Sequence, residues 1–445
     1  MAAEFQLRMR DGTALGDIAG IASNKTLHRR LNRISSCQFR VPSYMVNEIQ
    51  ADGRPLLCSG YRQISVVLDS TGLFFHGIVW MVEEDGDEDM VYSQVTCYDP
   101  MIVWRFRPAR DDVDSYSGEA GNLSDPSFLA RNQFGGPIMD EILTASESAA
   151  RIPSLAEGQL FIDLGASTFT GGGADLSGAP TNWPMTIAEI ATLLTNTGEL
   201  DLVIEPIIGG VGAQGFMDMA ELHTFTGNYG TNRTATVHLD FATGDCNARL
   251  FRRTENMDTF LSKLFYFLGP RLDQQHWRSN VTGDHPDLPR PSGGDVNSPF
   301  TGGDAPGSAN NLLGGKIEDA RDEIGVFMNI GIYDNFGSGS GTAGSESSAY
   351  PLFLRQWQVE SLLRSVPRNM VYLTPVRDVA TLPAGGDVFG PGDFDIGDLI
   401  TINIGNKARV AESGAQRVYA YQIDIDDDGV EALGEIQSSP DQDSI

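Results

Sequence analysis

The sequence predicts a mainly β fold with α+β insertions, in which two small β-barrel-like domains are joined by helix-containing segments and long polar loops. Three observations predict it. Apolar residues occupy every second position in several short runs, which places them on one face of an extended chain. Turn-forming pairs such as Asp11-Gly12 separate these runs. The 445 residues include 50 Gly and 22 Pro, and this frequency of turn formers favours many short strands.

The first hundred residues carry five predicted strands with turns between them. In the fourth, Phe75, Val79 and Met81 alternate with other residues and are expected on one face. A basic patch surrounds His28, Arg29 and Arg30. The set predicts a small barrel or sandwich. The predicted strands are residues 5–9, 37–42, 62–68, 73–83 and 91–98.

The middle of the chain mixes predicted helices and strands. The clearest helix is residues 187–196, where Thr186 and Glu189 have capping-box spacing and Gly198 follows as a stop. Its apolar stripe is Ile187, Ile190, Ala191 and Leu194. The other predicted helices are residues 138–148, 257–268 and 351–365, and the predicted strands are residues 200–208 and 234–241.

The closing element has the cleanest alternation in the sequence. Residues 400–404 place three isoleucines on one face, and residues 417–425 do the same with Tyr419, Tyr421, Ile423 and Ile425. An acidic turn at residues 426–429 then leads into a returning strand at residues 430–436. A further strand is predicted at residues 371–375.

Composition shifts suggest six segments. Residues 278–315 and 337–348 are dominated by Gly, Ser, Asp, Asn and Pro, which is typical of long exposed loops. The predicted division is 1–110, a β-barrel-like domain; 111–200, a loop-rich and helical insertion; 201–277, an α+β domain; 278–350, long polar loops; 351–437, a helix and a second β-barrel-like domain; and 438–445, a tail.

Charge excludes tight binding to polyanions. The chain has 31 Lys and Arg against 60 Asp and Glu, a formal charge of -29, and such a field repels phosphate backbones and anionic membranes. The start shows no signal peptide and no window is long and apolar enough to span a membrane, so the chain is expected in the cytoplasm. The cysteines are expected to be buried thiols, because Cys37, Cys58, Cys97 and Cys246 have no metal-ligand spacing.

Two motifs have a functional and a structural interpretation. Residues 210–215 read G-x-G-x-x-G after an apolar run, which in a dinucleotide fold would approach a pyrophosphate. Pro206 and the missing strand-helix alternation favour a glycine-rich surface loop. Residues 424–435 satisfy the calcium spacing D-x-D-x-D-G-x5-E, but strand-like flanks and Glu431 at a normally apolar position favour an acidic hairpin turn.

No catalytic, cofactor or metal residue is predicted. The six histidines are isolated and no nucleophile signature is present. The tryptophans are dispersed through different elements, so core or interface anchors are expected at Trp80, Trp104, Trp183, Trp277 and Trp357.

The order of several short motifs resembles the baseplate hub, or tail-tip minor tail protein, of long-tailed, siphovirus-type bacteriophages. At the start, Leu31-Asn32-Arg33 leads into Phe39-Arg40-Val41-Pro42, and Phe75-His76-Gly77-Ile78-Val79 follows. Val95-Thr96-Cys97-Tyr98-Asp99 is then similar to the end of the family's first barrel. Near the C-terminus, Asp395-Ile396-Gly397-Asp398-Leu399-Ile400 resembles the family's "l-G-D-x-v" passage. The resemblance covers about two thirds of the chain in scattered pieces.

The resemblance implies a non-enzymatic structural virion protein at the tail tip, made in the host cytoplasm before assembly. Three protomers would form a ring from two hub domains each, joining the tail tube or distal tail protein to a central fibre or other minor tail proteins. The ring would enclose the channel for the tape-measure protein and DNA, with no sequence-specific DNA binding, no stable membrane insertion and no cofactor. Residues 5–9, 400–404 and 419–425 are expected to be barrel and ring material, with unpaired edge strands as seams between protomers.

Two alternatives from other classes remain open at this point. A tail-associated enzyme that degrades cell walls could assemble its carboxylates from distant positions in the sequence. A calcium-dependent carbohydrate-binding module on a β-sandwich would use the carboxylates of residues 424–435.

Overall fold

The computed structural model describes the chain in segments. The described residues are 3–87, 89–107, 162–163, 186–196, 200–211, 216–226, 229–243, 246–256, 263–268, 276–279, 328–333, 368–377, 382, 387–409 and 411–440. The predicted helices at residues 138–148 and 351–365, and most of the polar loops of residues 278–350, lie outside them.

Nineteen strands and one α-helix are present in the described part. The strands are β1 (Glu4–Met9), β2 (Ala14–Asp17), β3 (Ser23–Arg30), β4 (Ser36–Pro42), β5 (Arg62–Leu68), β6 (Gly72–Gly86), β7 (Val91–Tyr98), β8 (Ile162–Asp163), β9 (Leu200–Pro206), β10 (Ala220–Thr226), β11 (His238–Phe241), β12 (Ala248–Asn256), β13 (Lys263–Leu268), β14 (His276–Ser279), β15 (Met328–Tyr333), β16 (Arg368–Pro375), β17 (Leu399–Ile404), β18 (Glu412–Ile425) and β19 (Glu431–Ser439). Helix α1 is Ile187–Asn196, and short 3-10 helices occupy Ser43–Met45 and Pro100–Phe106.

The opening and closing strands belong to one sheet. Thirteen strands follow the order β12-β16-β19-β18-β3-β4-β7-β6-β5-β1-β2, with β17 on β18 and β11 on β17. The link is the antiparallel pairing of β3 with β18, in which Leu27 lies opposite Ile423. The mainly β prediction is confirmed. Within the described residues, no pairing closes this sheet into a barrel, and the predicted segments 1–110, 201–277 and 351–437 all contribute strands to it.

The main apolar core follows the sheet and takes residues from both the opening and the closing strands. Phe5, Phe39 and Ile64 from the opening strands are fully buried, and so are Ile402 and Ile436 from the closing strands. Alternation puts these residues on the same face of neighbouring strands, where burial removes each large side chain from water and stabilises the fold by about 1.5–3 kcal/mol.

The five strands predicted in the first hundred residues are confirmed, and two more are present. The basic patch at His28 to Arg30 forms the end of β3. The predicted common face of β6 is wrong at Met81, which is exposed while Phe75 and Val79 are buried. The register of β6 against β7 shifts between Val79 and Met81, and such a bulge moves the following side chains to the other face.

In the middle of the chain, one predicted helix is wrong. Residues 263–268 form β13, which pairs antiparallel with β14 and parallel with β15. Leu264, Phe265, Tyr266 and Phe267 form an apolar run without breaks, which a helix or a buried strand can equally produce, and aromatic residues favour the strand. The predicted strand at residues 234–241 begins only at His238, because residues 234–236 form a turn on Arg233.

Helix α1 and the closing hairpin match their predictions. The capping box is formed, with the Thr186 amide donating to Glu189 Oε2 (2.6 Å) and the Glu189 amide donating to Thr186 Oγ1 (3.2 Å). Strands β18 and β19 are joined by the predicted acidic turn, where Gly429 has a φ of 80°. That left-handed conformation favours glycine.

Candidate assembly site

A buried ionic junction connects the opening strands to the closing ones. Arg29 on β3 makes two hydrogen bonds to Asp395, at 2.9 and 3.0 Å. The Tyr421 hydroxyl donates to the same carboxylate at 2.9 Å. Burial, with the Asp395 charge adding to it, raises the pKa of Tyr421 well above its ordinary value. A bidentate arginine-carboxylate pair fixes geometry as well as charge, so the junction fixes the position of the 393–398 turn against β3.

A second buried pair connects the middle of the chain to the same place. Arg417 on β18 is paired with Asp201 on β9, and their side chains are only 4% and 5% exposed. Asp201 also accepts from Asn32 Nδ2 (2.9 Å) and from the Tyr229 amide (2.7 Å). Every polar atom of this carboxylate is thus used in holding β9 to the main sheet.

Asp398 completes the junction from the family-like passage of the sequence. Its carboxylate accepts from the Thr231 amide (2.6 Å), from Arg233 Nε (2.7 Å) and from the Asp395 amide (3.0 Å). Gly397 beside it has a φ of 82°, and a Cβ there would lie 2.5 Å from the Tyr229 carbonyl oxygen. The pair therefore has a packing role. Gly397 lets the backbone at Tyr229 approach closely, and Asp398 holds the neighbouring loop by accepting its hydrogen bonds.

A small polar cavity lies behind the junction. It measures about 20 Å³ and is lined by His28, Arg29, Ser35, Phe74, Phe75, His76, Asp99, Ile204 and Pro206. A cavity of that size holds about one water molecule, whereas ligand sites occupy about 300–1,000 Å³. Its titratable groups are therefore not arranged to receive a substrate.

Two of the cavity groups have strongly shifted pKa values. Burial lowers the pKa of His76 to about 4, and its Nδ1 bonds the Ile207 carbonyl oxygen at 2.6 Å. His76 Nε2 has no hydrogen-bond partner among the described residues. Burial raises the pKa of Asp99 to about 7, although the Ser35 and Met101 amides donate to it and oppose the rise. Asp99 caps the 3-10 helix of residues 100–106, which is a structural role.

The two motifs singled out in the sequence are flanked by elements with structural roles, and residues 212–215 of the glycine-rich motif lie outside the described residues. Strand β9, before the glycine-rich residues, pairs antiparallel with β10, which is not the parallel βαβ unit of a dinucleotide fold. In the acidic hairpin, Asp424 pairs with Arg377 and Asp426 accepts from the Val430 amide. Glu435 points to Arg252 instead. No group of three metal-ligating side chains is present in the described segments.

The predicted cysteine and tryptophan positions divide between core and surface. Cys37 and Cys97 are buried and lie opposite each other on β4 and β7 as free thiols, and burial raises the pKa of both. Cys58 and Cys246 are free and half-buried. Trp104 is fully buried, whereas Trp80 is 37% exposed. The side chains of Trp183, Trp277 and Trp357 lie outside the described residues, as does that of His285.

The strands expected as ring seams are inside the sheet. Strand β1 is paired by β2 and β5, β17 by β11 and β18, and β18 by β3, β17 and β19. Open edges of this sheet in the described part include the outer sides of β2 and β12, at the two ends of the strand order, and of β11.

A further open edge is the outer half of β6. Strand β5 pairs with β6 only from Gly72 to Ile78, while β6 continues against β7 as far as Gly86. The Gly60 amide caps the Val79 carbonyl at 2.7 Å. Beyond it, residues 80–86 have no strand on that side among the described residues, and Trp80 and Met81 are 37% and 40% exposed.

Sequence comparisons place this chain in no known family. No protein-family profile matches it, and no curated protein matches it. The described helix is too short to span a membrane, so no membrane-spanning helix is found in the described part.

Solved structures resemble the chain over almost its whole length. The 43 kDa tail protein of prophage MuSo2 from Shewanella oneidensis is 15% identical with a TM-score of 0.49, covering 99% of both chains. A tail protein from Neisseria meningitidis is 9% identical with a TM-score of 0.49, covering 100% of this chain and 98% of the other. The prophage tail protein gp18 of Listeria monocytogenes is 9% identical with a TM-score of 0.42, covering 99% and 95%. These neighbours are described as phage tail proteins, the class of protein that the sequence motifs resemble.

Proposed function

We propose that this chain is a structural phage tail protein, the baseplate hub, which forms a trimeric ring at the tail tip. The ring joins the tail tube or distal tail protein to the tip components and encloses the channel for the tape-measure protein and DNA. The role is mechanical, and no residue acts on a substrate. The chain reaches the virion tail tip from the host cytoplasm.

The observation that carries the proposal is the single sheet shared by the opening and closing segments. A ring component must transmit force between the tail tube and the tip without its two halves separating. The β3 to β18 pairing gives that continuity, and it is reinforced by the partly exposed Arg29–Asp395 pair and by the buried Arg417–Asp201 pair. Breaking a buried pair costs about 3–5 kcal/mol, so the two halves resist sliding past each other.

Charge supports the channel. A net charge of -29 repels DNA, and an acidic bore would let DNA pass without adhering. The acidic wall is part of the proposal, and a reconstruction of the assembled ring that showed a basic bore would contradict it.

The test is the location of this chain in purified virions. Antibody-labelled particles are viewed by electron microscopy, and particle lysates are checked by mass spectrometry. Label at the distal tail end, together with peptides of this chain in the lysate, is the expected result. Absence of the chain from virions would overturn the proposal. A threefold-averaged reconstruction of the labelled tip then counts the copies in the ring.

A further inference from the structure

The outer half of β6 is an edge strand with a distinct pattern of side chains. Beyond the bulge at Trp80, alternation puts Met81, Glu83 and Asp85 on one face of the strand and Val82 and Glu84 on the other. Trp80 stacks on Phe106, with ring centroids 5.6 Å apart. The strand is therefore apolar at its inner end and acidic toward its tip, and its backbone groups can accept another strand.

Strand β12 has the complementary pattern at the far end of the same sheet. Its inner side pairs with β16, and among the described residues no strand pairs its outer side. Leu250 is 67% exposed. Arg249, Arg252 and Arg253 make the strand basic in a strongly acidic chain. Arg252 is engaged with Glu435 only at the surface, with both side chains about half exposed, and such a pair contributes about 0–1 kcal/mol.

We propose that β12 of one copy of this chain adds to the outer half of β6 of the next copy as a parallel strand. In this register Leu250 lies opposite Met81 and Arg252 opposite Glu83. On the same alignment Phe251 lies opposite Val82, and Arg253, which also pairs with Glu255 of its own strand, lies opposite Glu84. Apolar residues meet apolar residues and arginines meet glutamates.

The parallel direction follows from the order of residues. In the antiparallel alignment that keeps Leu250 opposite Met81, Arg252 faces Val79 and Glu83 faces Ala248. The glutamates then have no arginine across the seam, whereas the parallel alignment pairs both the apolar and the charged positions.

The contact is heterologous, because two different edges meet, and heterologous contacts close into rings when the rotation allows. This inference rests on the proposed ring and names its seam. At each contact one copy contributes β6 and its neighbour contributes β12. Every protomer in a closed ring therefore makes one contact through its β6 and another through its β12.

The first experiment is a cross-link across the seam in the full chain. Neighbouring strands lie about 4.7–4.9 Å apart, which is within the Cα separation of a disulfide. On a Cys58→Ser, Cys246→Ser background, Met81→Cys with Leu250→Cys is expected to give a ladder ending at a discrete trimer on non-reducing gels. The control combines Met81→Cys with Val430→Cys, since Val430 is 61% exposed but lies outside the seam, and it should stay monomeric.

The second experiment exchanges the charges. By sedimentation, Glu83→Arg alone and Arg252→Glu alone are each expected to weaken self-association at least about 100-fold, because like charges then meet across the seam. The double variant brings opposite charges together again and should recover most of the association. Asp427→Arg, an exposed acid on another hairpin, is the matched control and should change little.

A chain that stays monomeric at every concentration, or an oligomer that neither cross-links at these positions nor responds to Glu83→Arg, would overturn the seam. The outcomes distinguish failure of the proposed seam from failure of the proposed hub function. A chain found at the tail tip whose cysteine variant gives no cross-link refutes the seam alone. A chain that cross-links as expected but is missing from virions refutes the hub alone.

Discussion

Replacing Arg417 tests the buried junction directly. Arg417→Met removes the positive charge from Asp201, whose side chain is only 5% exposed. It also leaves the carbonyl oxygens of Gly397 and Tyr229 without the hydrogen bonds that Arg417 donates at 3.4 and 3.2 Å. Asp201 keeps two donors, Asn32 and the Tyr229 amide, but its charge then has no counter-ion among the residues that the structure describes.

The expected loss is about 3–5 kcal/mol in the free energy of unfolding, the usual cost of an uncompensated buried charge. At about 2.1 cal/mol/K of unfolding entropy per residue, a chain of 445 residues shifts by about 1 °C per kcal/mol, so the midpoint of thermal unfolding falls by about 3–5 °C. The control is Arg409→Met. Arg409 pairs with Glu255 at the surface, with side chains 73% and 38% exposed, so its loss is expected to cost about 0–1 kcal/mol.

Thermal and urea unfolding of the full chain measure both variants. Adding Asp201→Asn to Arg417→Met removes the uncompensated charge and should recover part of the loss, although only one of the two remaining donors, Asn32 Nδ2 or the Tyr229 amide, then finds the single amide oxygen. If Arg417→Met unfolds at the same temperature as Arg409→Met, the Arg417–Asp201 pair does not stabilise the contact between β9 and the main sheet, and the reasoning fails.

The remaining predictions concern pH, backbone space and calcium. His76 has its pKa lowered by burial to about 4 from about 6.5 in the unfolded chain, so its neutral form stabilises the fold above pH 6.5. About 3 kcal/mol is lost as the pH falls toward 4; His76→Asn should abolish that acid loss in melting curves. Asp99 has its pKa raised to about 7, so its effect on the pH dependence of stability has the opposite sign. Its contribution falls as the pH rises from about 4 to 7, and an Asp99→Asn variant that keeps this decline would contradict the assignment. Gly397→Ala meets a backbone oxygen at 2.5 Å, whereas Gly60→Ala, also at positive φ, meets nothing within 4 Å. The first should therefore cost at least about 2 kcal/mol more than the second in urea unfolding. Calorimetric titration with millimolar calcium should give a flat trace, since Asp424, Asp426 and Glu435 are engaged elsewhere. A binding heat that is present in the unmodified chain and absent in the Asp424→Asn variant would refute this.

Local patterns decided the elements that the sequence predicted correctly. Helix α1 follows from its capping box, and β5, β7 and β17 follow from alternation between turn residues, because both signals act over a few neighbouring residues. Where two local signals compete, the prediction failed. The apolar run at residues 263–268 fits a helix or a strand alike, and only its pairing with β14 and β15 selects the strand.

The sequence by itself determined the mainly β class, the acidic character and the motifs that resemble a tail hub. The tertiary structure alone decided how distant segments meet. No local pattern shows that Arg29 pairs with Asp395, or that Arg417 pairs with Asp201, because partners separated by hundreds of residues are chosen by strand order. The same holds for the open edges of β6 and β12. Alternation identifies a strand, but which of its sides remains unpaired depends on every other strand in the sheet.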